Sequence, residues 1–318
     1  MASCNGLSLL SGGLDSQLAV RVLERAGAHV EAVCFSTPFF DCSAARRAAA
    51  ALGVKLHVVD FLDDEISLIK NPPHGFGGAM NPCIDCHALM IRRAGEMMER
   101  MGFDFVATGE VQGQRPMSQN RQSLGVVEKS SGLAGRLVRP MSALLLEPTI
   151  PEMEGKLDRS RLLDISGRSR TRQIALAAEL GIEDYPSPAG GCKLTEEGFG
   201  RKLRDLMEHE GLDDRRLVEL VALGRRFRLP AGTLVILGRD REENAVLRGE
   251  KGVAVFPTRI PGPTALLPEV KSEADLGIAK AIVAAYSKLS MLGESVELNV
   301  GTVGGPFDRG AFGRYMVC

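Results

Sequence analysis

A glycine-rich turn near the N-terminus, Ser11-Gly12-Gly13-Leu14-Asp15-Ser16, constrains the fold of this chain more than any other feature. It lies between a short apolar run, Gly6–Leu10, and a stretch whose apolar residues repeat at helical spacing, Gln17–Ala26. The alternation continues with a strand, a helix and a strand over His29–Ser36, Ala44–Leu52 and Lys55–Asp60. This order predicts an α/β fold, in which a parallel sheet is covered by helices on both faces.

The residue types in this turn are suited to binding a phosphate. Gly12 and Gly13 let the backbone curl without Cβ clashes, so that several N–H groups converge at a helix N-terminus, where the helix dipole favours an anion. Ser11 and Ser16 can donate hydroxyl hydrogen bonds to phosphate oxygens. Asp15 would repel a phosphate, so its expected task is to hold Mg²⁺ beside it. The simpler interpretation is a tight turn with Asp15 as a helix cap, but the complete hexapeptide between a strand and a helix favours phosphate binding.

Length and composition predict a chain of two domains. The 318 residues correspond to about two domains. The sequence changes character near Arg228, so we expect an α/β domain over residues 1–228 and a small α+β domain over residues 229–318. A net charge of −1 excludes a globally basic nucleic-acid-binding protein. No apolar run approaches the ~18 residues of a transmembrane helix, and no signal sequence is visible. We therefore expect a cytoplasmic protein without a disulfide scaffold.

Two cysteines are spaced to bind one metal ion. Cys83 and Cys86 form a Cys-x-x-Cys sequence just before a predicted helix over His87–Met101, whose N-terminus favours thiolates. Among the other cysteines, only Cys192 lies in a glycine-rich loop that could approach them closely. Three thiolates on a four-iron cluster would leave one iron open. Spacing alone leaves three alternatives, which are this cluster, a redox dithiol, and a structural zinc site that includes His87. For Cys192 itself, the alternative to metal binding is a buried free thiol.

The glycine-rich turn resembles the signature of the PP-loop ATP pyrophosphatases. These enzymes cleave ATP between the α and β phosphates and adenylate a carbonyl oxygen. The resemblance implies an adenine nucleotide alpha-hydrolase-like fold, with ATP and Mg²⁺ bound by Ser11, Gly12, Gly13, Asp15 and Ser16. The Gly-Lys-Ser/Thr ending of a Walker A loop is missing, which disfavours a kinase or a motor ATPase.

Two later segments resemble the thiouridine synthetase branch of these enzymes. They are Asn81-Pro82-Cys83-Ile84-Asp85-Cys86-His87, and Ala107-Thr108-Gly109-Glu110-Val111-Gln112-Gly113-Gln114 with Ser118-Gln119 after it. The second segment is similar to a Thr-Gly-Glu, Gly-Gln and Ser-Gln pattern of the 4-thiouridine synthetases. The resemblance implies that Thr108, Gly109 and Gln114 bind the nucleotide.

The same branch includes iron–sulfur enzymes, whose cluster ligands are a Cys-x-x-Cys and one later cysteine. The resemblance therefore implies that Cys83, Cys86 and Cys192 hold a [4Fe–4S] cluster, with zinc as the alternative. It also implies that Cys83 and Cys192 act with Asp15 as catalytic residues. No rhodanese domain is recognisable in the sequence, which favours a cluster-based sulfur donor over a persulfide relay.

Two regions suggest a nucleic-acid partner. The segment Gly155–Ala175 contains six basic residues against two acidic ones, an excess that suits a phosphate backbone, although a solvated helix face is the common alternative. Its basic residues are Lys156, Arg159, Arg161, Arg168, Arg170 and Arg172. Residues 234–267 resemble an RNA-binding domain that is attached to ribosome quality-control proteins. The alternative is a small domain that stabilises the fold or mediates a homodimer.

Taken together, these resemblances imply an ATP-dependent tRNA sulfurtransferase that adenylates a uridine carbonyl and replaces its oxygen with sulfur. Its partners would be tRNA and a sulfur donor, either sulfide or a cysteine desulfurase. Two alternatives remain open at this point. One is a PP-loop enzyme that acts on a small molecule and carries a structural zinc, and the other is a non-catalytic RNA-binding protein regulated by a nucleotide.

Overall fold

The computed structural model describes residues 4–115, 118–187, 191–288 and 295–317 of the chain. The chain divides into two units between Thr195 and Glu196, and each is described by itself. None of the helices in the described ranges is long and apolar enough to cross a membrane.

The first unit is built on a five-stranded sheet in which all neighbouring strands are parallel. The strands are β1 (Cys4–Leu9), β2 (Ala28–Ser36), β3 (Leu56–Asp60), β4 (Phe105–Ala107) and β5 (Leu137–Val138). Their spatial order is β3-β2-β1-β4-β5, so the chain leaves β1 toward β2 on one side and later returns to β4 on the other. The carboxyl ends of β1 and β4 therefore meet at a topological switch point, where open α/β sheets bind their ligands.

Helices cover both faces of this sheet, as the alternating pattern predicts. They are α1 (Leu14–Arg25), α2 (Ser43–Leu52), α3 (Leu62–Lys70), α4 (Cys83–Met101), α5 (Arg121–Ser131), α6 (Ile150–Met153) and α7 (Thr171–Glu179). One apolar core contains residues of α1, α2 and α7 together with Phe105. A second core contains residues of α4 and α5 together with Leu7 and Val106. The expected α/β fold is confirmed.

Several elements differ from the sequence-based expectation. Helix α3 was not expected, because its acidic residues obscure apolar positions Leu62, Ile66 and Ile69, which are buried at helical spacing. Helix α4 begins at Cys83 rather than His87, so the Cys-x-x-Cys sequence forms its first turn. The basic segment Gly155–Ala175 is helical only from the start of α7 at Thr171, because the chain turns at Gly155 and Gly167, both with positive φ.

A disulfide joins Cys34, in β2, to Cys42, which immediately precedes α2. Seven cysteines in a chain of this composition do not predict a disulfide scaffold, and this cross-link spans only eight positions of sequence. Both cysteines are buried. The cross-link fixes the start of α2 against the carboxyl end of β2.

The second unit is a small α+β assembly. Its strands are β6 (Arg225–Arg228), β7 (Leu234–Leu237), β8 (Val253–Val255), β9 (Ala265–Leu267), β10 (Val296–Leu298) and β11 (Gly301–Val303). Its helices are α8 (Glu197–His209), α9 (Arg215–Glu219), α10 (Arg241–Gly249) and α11 (Glu273–Tyr286). The first four strands form an antiparallel sheet in the order β6-β7-β9-β8, and β10 pairs with β11.

The second unit begins earlier in the chain than the expected boundary at Arg228. The reason is that Arg228 lies inside the antiparallel sheet, and its guanidinium binds two carboxylates that precede it. It donates hydrogen bonds to Asp205 Oδ2 at 2.6 Å and to Glu210 Oε1 at 2.6 Å. Helix α8 is therefore held to this sheet. A functional division into residues 1–228 and 229–318 stays a prediction.

Candidate active site

The expected phosphate loop lies at the switch point between β1 and β4. Gly12 has a φ of +81°, and a Cβ built on it would lie 2.4 Å from the backbone carbon of Ala44. Gly109 follows β4, and a Cβ there would lie 2.6 Å from the backbone nitrogen of Ser16 and 2.7 Å from the carbonyl carbon of Asp15. Real Cβ contacts are never this short, so glycine is required at both positions. The structure thus brings together the two segments that the sequence singled out.

Side chains of the loop hold its own backbone. The Ser16 hydroxyl donates to the carbonyl oxygen of Gly13 at 2.8 Å, and its oxygen lies 3.2 Å from the Ser11 hydroxyl. The backbone N–H of Gly13 donates to the Ser11 hydroxyl at 3.3 Å. Gln17, fully buried, donates to the carbonyl oxygens of Gly12 at 2.8 Å and Asp184 at 2.9 Å. Sequence analysis missed Gln17, because its role depends on a backbone group far along the chain.

Asp15 has one occupied and one free carboxylate oxygen. Gln114 Nε2 donates to Asp15 Oδ2 at 2.8 Å. Asp15 Oδ1 is buried, and among the described residues it has no hydrogen-bond partner. A buried carboxylate oxygen without a donor costs free energy unless a cation or water satisfies it. Asp15 therefore fits the expected role of Mg²⁺ ligand, and the hydrogen bond from Gln114 fixes the orientation of its carboxylate.

Thr108 belongs to a buried hydrogen-bond network with Glu110 and Arg139. Its hydroxyl donates to Glu110 Oε2 at 3.0 Å, and Arg139 Nε donates to the same oxygen at 2.9 Å. Arg139 Nη1 also donates to Glu128 at 2.9 Å. Burial alone would raise the pKa of Glu110, but the His87 ring, whose Nδ1 lies 3.5 Å from Oε1, and the positive charge of Arg139 lower it to about 2. Glu110 is thus ionised, and its ion pair with Arg139 anchors the segment after β4.

The three candidate thiols interact electrostatically but have different hydrogen-bond partners. Cys86 is buried and its thiol donates to Glu65 Oε2 at 3.2 Å, whereas Cys83 accepts a hydrogen bond from Asn81 Nδ2 at 3.2 Å. Burial raises the pKa of Cys86 well above its usual value, and the charges of Glu65, Cys192 and Cys83 raise it further. Burial likewise raises the pKa of Cys192 to about 12, with contributions from Glu65 and Cys83. The fold therefore brings these thiols into one electrostatic neighbourhood.

Glu65 completes this neighbourhood, and sequence analysis missed it. Its side chain is fully buried, and burial raises its pKa to about 7.

The glycine-rich loop that carries Cys192 is anchored at its end. Lys193, directly after Cys192, donates its backbone N–H to the Phe39 carbonyl oxygen at 2.9 Å. Residues 188–190 of the glycine-rich loop lie outside the described residues.

The thiols match a metal cluster in chemistry but not in spacing. Within the described ranges, no three His, Cys, Asp or Glu side chains are grouped as closely as metal ligands. Three cysteine sulfurs are the donors that an iron–sulfur cluster uses. The same three sulfurs together with His87, whose Nδ1 lies 3.5 Å from Glu110, are also a donor set for zinc. The donor types therefore fit either metal group, and binding of either would have to replace the Cys86–Glu65 hydrogen bond.

Most of the basic residues in the segment Gly155–Ala175 are neutralised by acidic partners. The ion pairs are Lys156 with Asp104, Arg159 with Glu152, Arg161 with Asp158 and Arg172 with Asp164. Arg168 and Arg170 have no ion pair among the described residues. The free positive charge is therefore concentrated just before α7.

Comparisons with known protein families agree with this geometry. Residues 1–144 match the family described as thiamine biosynthesis protein (ThiI). This match confirms the PP-loop resemblance of the N-terminal segment. Residues 224–311 match the family described as NFACT protein RNA binding domain, which confirms the resemblance of the C-terminal segment. The second match begins just before β6, near the boundary that the sequence predicts.

Two relatives illustrate the extent of the similarity. A probable tRNA sulfurtransferase of Caldanaerobacter subterraneus subsp. tengcongensis is 28% identical over 177 residues, which cover 53% of this chain and 41% of that protein. The chain thus spans less than half the length of this relative. The tRNA-specific 2-thiouridylase MnmA of Chloroflexus aurantiacus is 27% identical over 305 residues, which cover 83% of this chain and 76% of that protein. Among solved structures, a 4-thiouridine synthetase in complex with RNA and ATP aligns with a TM-score of 0.41 and 20% identity, covering 69% of this chain and 53% of that one.

We predict that Glu110→Gln lowers the free energy of unfolding by about 3 kcal/mol at pH 7, because it leaves the buried Arg139 guanidinium with only the partly exposed Glu128 as a charged partner. The folded pKa of Glu110 lies below that of an unfolded carboxyl, about 4.3. The stabilisation is therefore present above that pH and is lost as the pH falls toward about 2. Urea unfolding at several pH values measures both effects.

The matched control is Glu128→Gln, since Glu128 binds the same arginine but its side chain is 31% exposed. We expect a clearly smaller loss for this variant. Equal losses for the two variants, or a Glu110→Gln effect that does not shrink between about pH 4.5 and pH 2, would contradict the prediction.

Proposed function

We propose that the protein is an ATP-dependent tRNA sulfurtransferase, which adenylates a uridine carbonyl oxygen and then replaces that oxygen with sulfur. One observation carries the proposal. A glycine-rich loop at the switch point presents Asp15, whose buried Oδ1 has no partner among the described residues, and the same unit holds three thiols, of which one raises the pKa values of the other two. The match of residues 1–144 to the ThiI family supports the same conclusion. The relatives named tRNA sulfurtransferase and tRNA-specific 2-thiouridylase point to the substrate.

In the first step, the loop Ser11–Ser16 would bind the phosphates of ATP, and Asp15 would hold Mg²⁺, which would neutralise phosphate charge. Gly109 allows β4 to approach this loop, and Gln114 orients Asp15. The uridine carbonyl oxygen attacks the α-phosphorus, the bond to the β-phosphate oxygen breaks, and pyrophosphate leaves. The protein contributes positioning and charge neutralisation, which are the main sources of catalysis in such a transfer.

In the second step, a sulfur nucleophile attacks the activated base carbon, and AMP leaves with the former carbonyl oxygen. We propose that Cys83, Cys86 and Cys192 hold a [4Fe–4S] cluster beside this reaction. When held by three thiolates, such a cluster leaves one iron able to bind a sulfur ligand. The raised thiol pKa values mean that cluster binding releases protons. Sulfide or a cysteine desulfurase is the proposed sulfur source.

The proposed RNA partner is supported from two sides. Residues 224–311 match an RNA-binding domain. In the first unit, Arg168 and Arg170 carry positive charge without an ion pair among the described residues. A guanidinium free of carboxylates is available to a phosphate. The alternative of a small-molecule substrate gives these features no role.

We predict that Asp15→Asn abolishes ATP-dependent pyrophosphate release in the presence of tRNA, with a loss of about two to three orders of magnitude. The amide removes the negative charge that holds Mg²⁺ but preserves the shape of the side chain, so thermal stability should change little. Pyrophosphate release and a thermal melt are measured on the same preparation. Asp184→Asn is the control, since that side chain is 75% exposed. Wild-type release in Asp15→Asn would remove Asp15 from the mechanism.

We predict that replacing Arg168, Arg170 and Arg172 together by Gln weakens tRNA binding and flattens its salt dependence. Each lost phosphate contact should reduce the log–log salt slope by about 0.7 to 0.9. Because Arg172 already pairs with Asp164, most of the effect should remain in the Arg168/Arg170 double variant. Arg161→Gln, in the same segment but paired with Asp158, is the control. A slope equal to that of the wild type would show that this segment does not contact RNA.

We predict that the protein purified without oxygen contains one [4Fe–4S] cluster, which each of Cys83→Ala, Cys86→Ala and Cys192→Ala loses. Iron, sulfide and zinc analysis, together with the visible absorption spectrum, measures this. Cys4→Ala is the control, because Cys4 is a buried free thiol in the core at the opposite end of β1. Stoichiometric zinc without iron, even after anaerobic reconstitution, would contradict the cluster.

A further inference from the structure

We propose that Gln173, in the first turn of α7, is a positioning residue for Asp15 and acts through Gln114. The inference rests on the proposed function, since it concerns how the Mg²⁺ ligand is held. Gln173 belongs to none of the segments that carry the family resemblance. It lies far from Asp15 in sequence, and only the packing of α7 against the first unit's core brings the two together.

A directed chain of hydrogen bonds joins the three residues. Gln114 Nε2 donates to Asp15 Oδ2 at 2.8 Å, and Gln173 Nε2 donates to Gln114 Oε1 at 3.4 Å. An ionised carboxylate only accepts hydrogen bonds, so Gln114 must turn its NH₂ group toward Asp15. Its carbonyl oxygen then faces Gln173, which must supply a donor. The charge of Asp15 thus fixes the orientation of both amides.

The burial of Gln173 indicates that its amide is there to donate the hydrogen bond to Gln114. The residue is fully buried, and its Oε1 has no hydrogen-bond partner among the described residues. Leaving a buried carbonyl unpaired costs about 1–3 kcal/mol. The same helix packs its other buried residue, Ala177, into an apolar core. An apolar side chain at position 173 would avoid this cost, so the amide is retained for the hydrogen bond that it donates to Gln114.

The consequence concerns the direction of the Asp15 carboxylate. With Oδ2 bound by Gln114, only Oδ1 remains for a cation, and it is buried. Without Gln173, Gln114 loses the contact that fixes its amide plane, and the carboxylate can rotate. Residues that orient a metal ligand in this way typically change metal affinity by about 10–100-fold. Gln173 should therefore control Mg²⁺ affinity rather than nucleotide binding or folding.

The test compares Gln173→Met, which keeps the length of the side chain but cannot donate, with the wild type. Mg²⁺ binding to the ATP-saturated 318-residue chain is measured by calorimetry, and ATP binding is measured separately without metal. We expect the Mg²⁺ dissociation constant to rise at least about tenfold, with metal-free ATP affinity and the urea midpoint nearly unchanged. Gln122→Met, an exposed glutamine in α5, is the control for the substitution itself.

A double-mutant cycle with Gln114→Leu tests whether Gln173 acts through Gln114. Gln114→Leu should weaken Mg²⁺ binding to a similar extent, and the combined variant should lose little more, because both changes break one chain. Fully additive losses would overturn the inference, as would wild-type Mg²⁺ affinity in Gln173→Met. If the wild-type protein itself binds no Mg²⁺ with ATP, the proposed function fails and the inference fails with it.

Discussion

The close approach of Gly109 to the start of α1 is the constraint on which the rest of the candidate site depends. A Cβ at this position would lie 2.6 Å from the Ser16 nitrogen, so any side chain would push β4 away from the loop. Because Gly109 has none, the segment after β4 passes directly over the loop after β1. Gln114, five residues further along, then reaches Asp15. One backbone contact thus joins two sequence motifs into a single site.

A buried ion pair supports this contact and links it to the thiols. Arg139 and Glu110 are both buried, and the remaining carboxylate oxygen of Glu110 faces His87. His87 directly follows Cys86 in α4, so the helix that carries the cysteines and the segment that approaches the loop share one charged centre. Buried pairs of this kind contribute little net stability but are costly to break. The network therefore fixes the relative position of the nucleotide loop and the Cys-x-x-Cys turn.

The electrostatics of the thiols and of the basic segment differ from what composition suggests. A helix N-terminus favours thiolates, yet burial and the nearby Glu65 raise the pKa of Cys86. The pKa of Cys86 is set mainly by its burial, which cannot be read from the sequence. Likewise, the charge excess before α7 is mostly cancelled by ion pairs, leaving Arg168 and Arg170. In both cases the sequence singled out a segment, and the structure shows which of its charges remain available.

The sequence by itself determined the α/β order of the first unit, the glycine loop and the Cys-x-x-Cys turn, because each is encoded by neighbouring residues with local spacing. It missed α3, whose apolar spacing was present but hidden among acidic residues. Only the tertiary structure decided that Glu65 contacts Cys86 and that Gln173 supports Gln114. These pairs are 21 and 59 positions apart, and a contact across such separations depends on how the helices pack on the sheet, which no local pattern records.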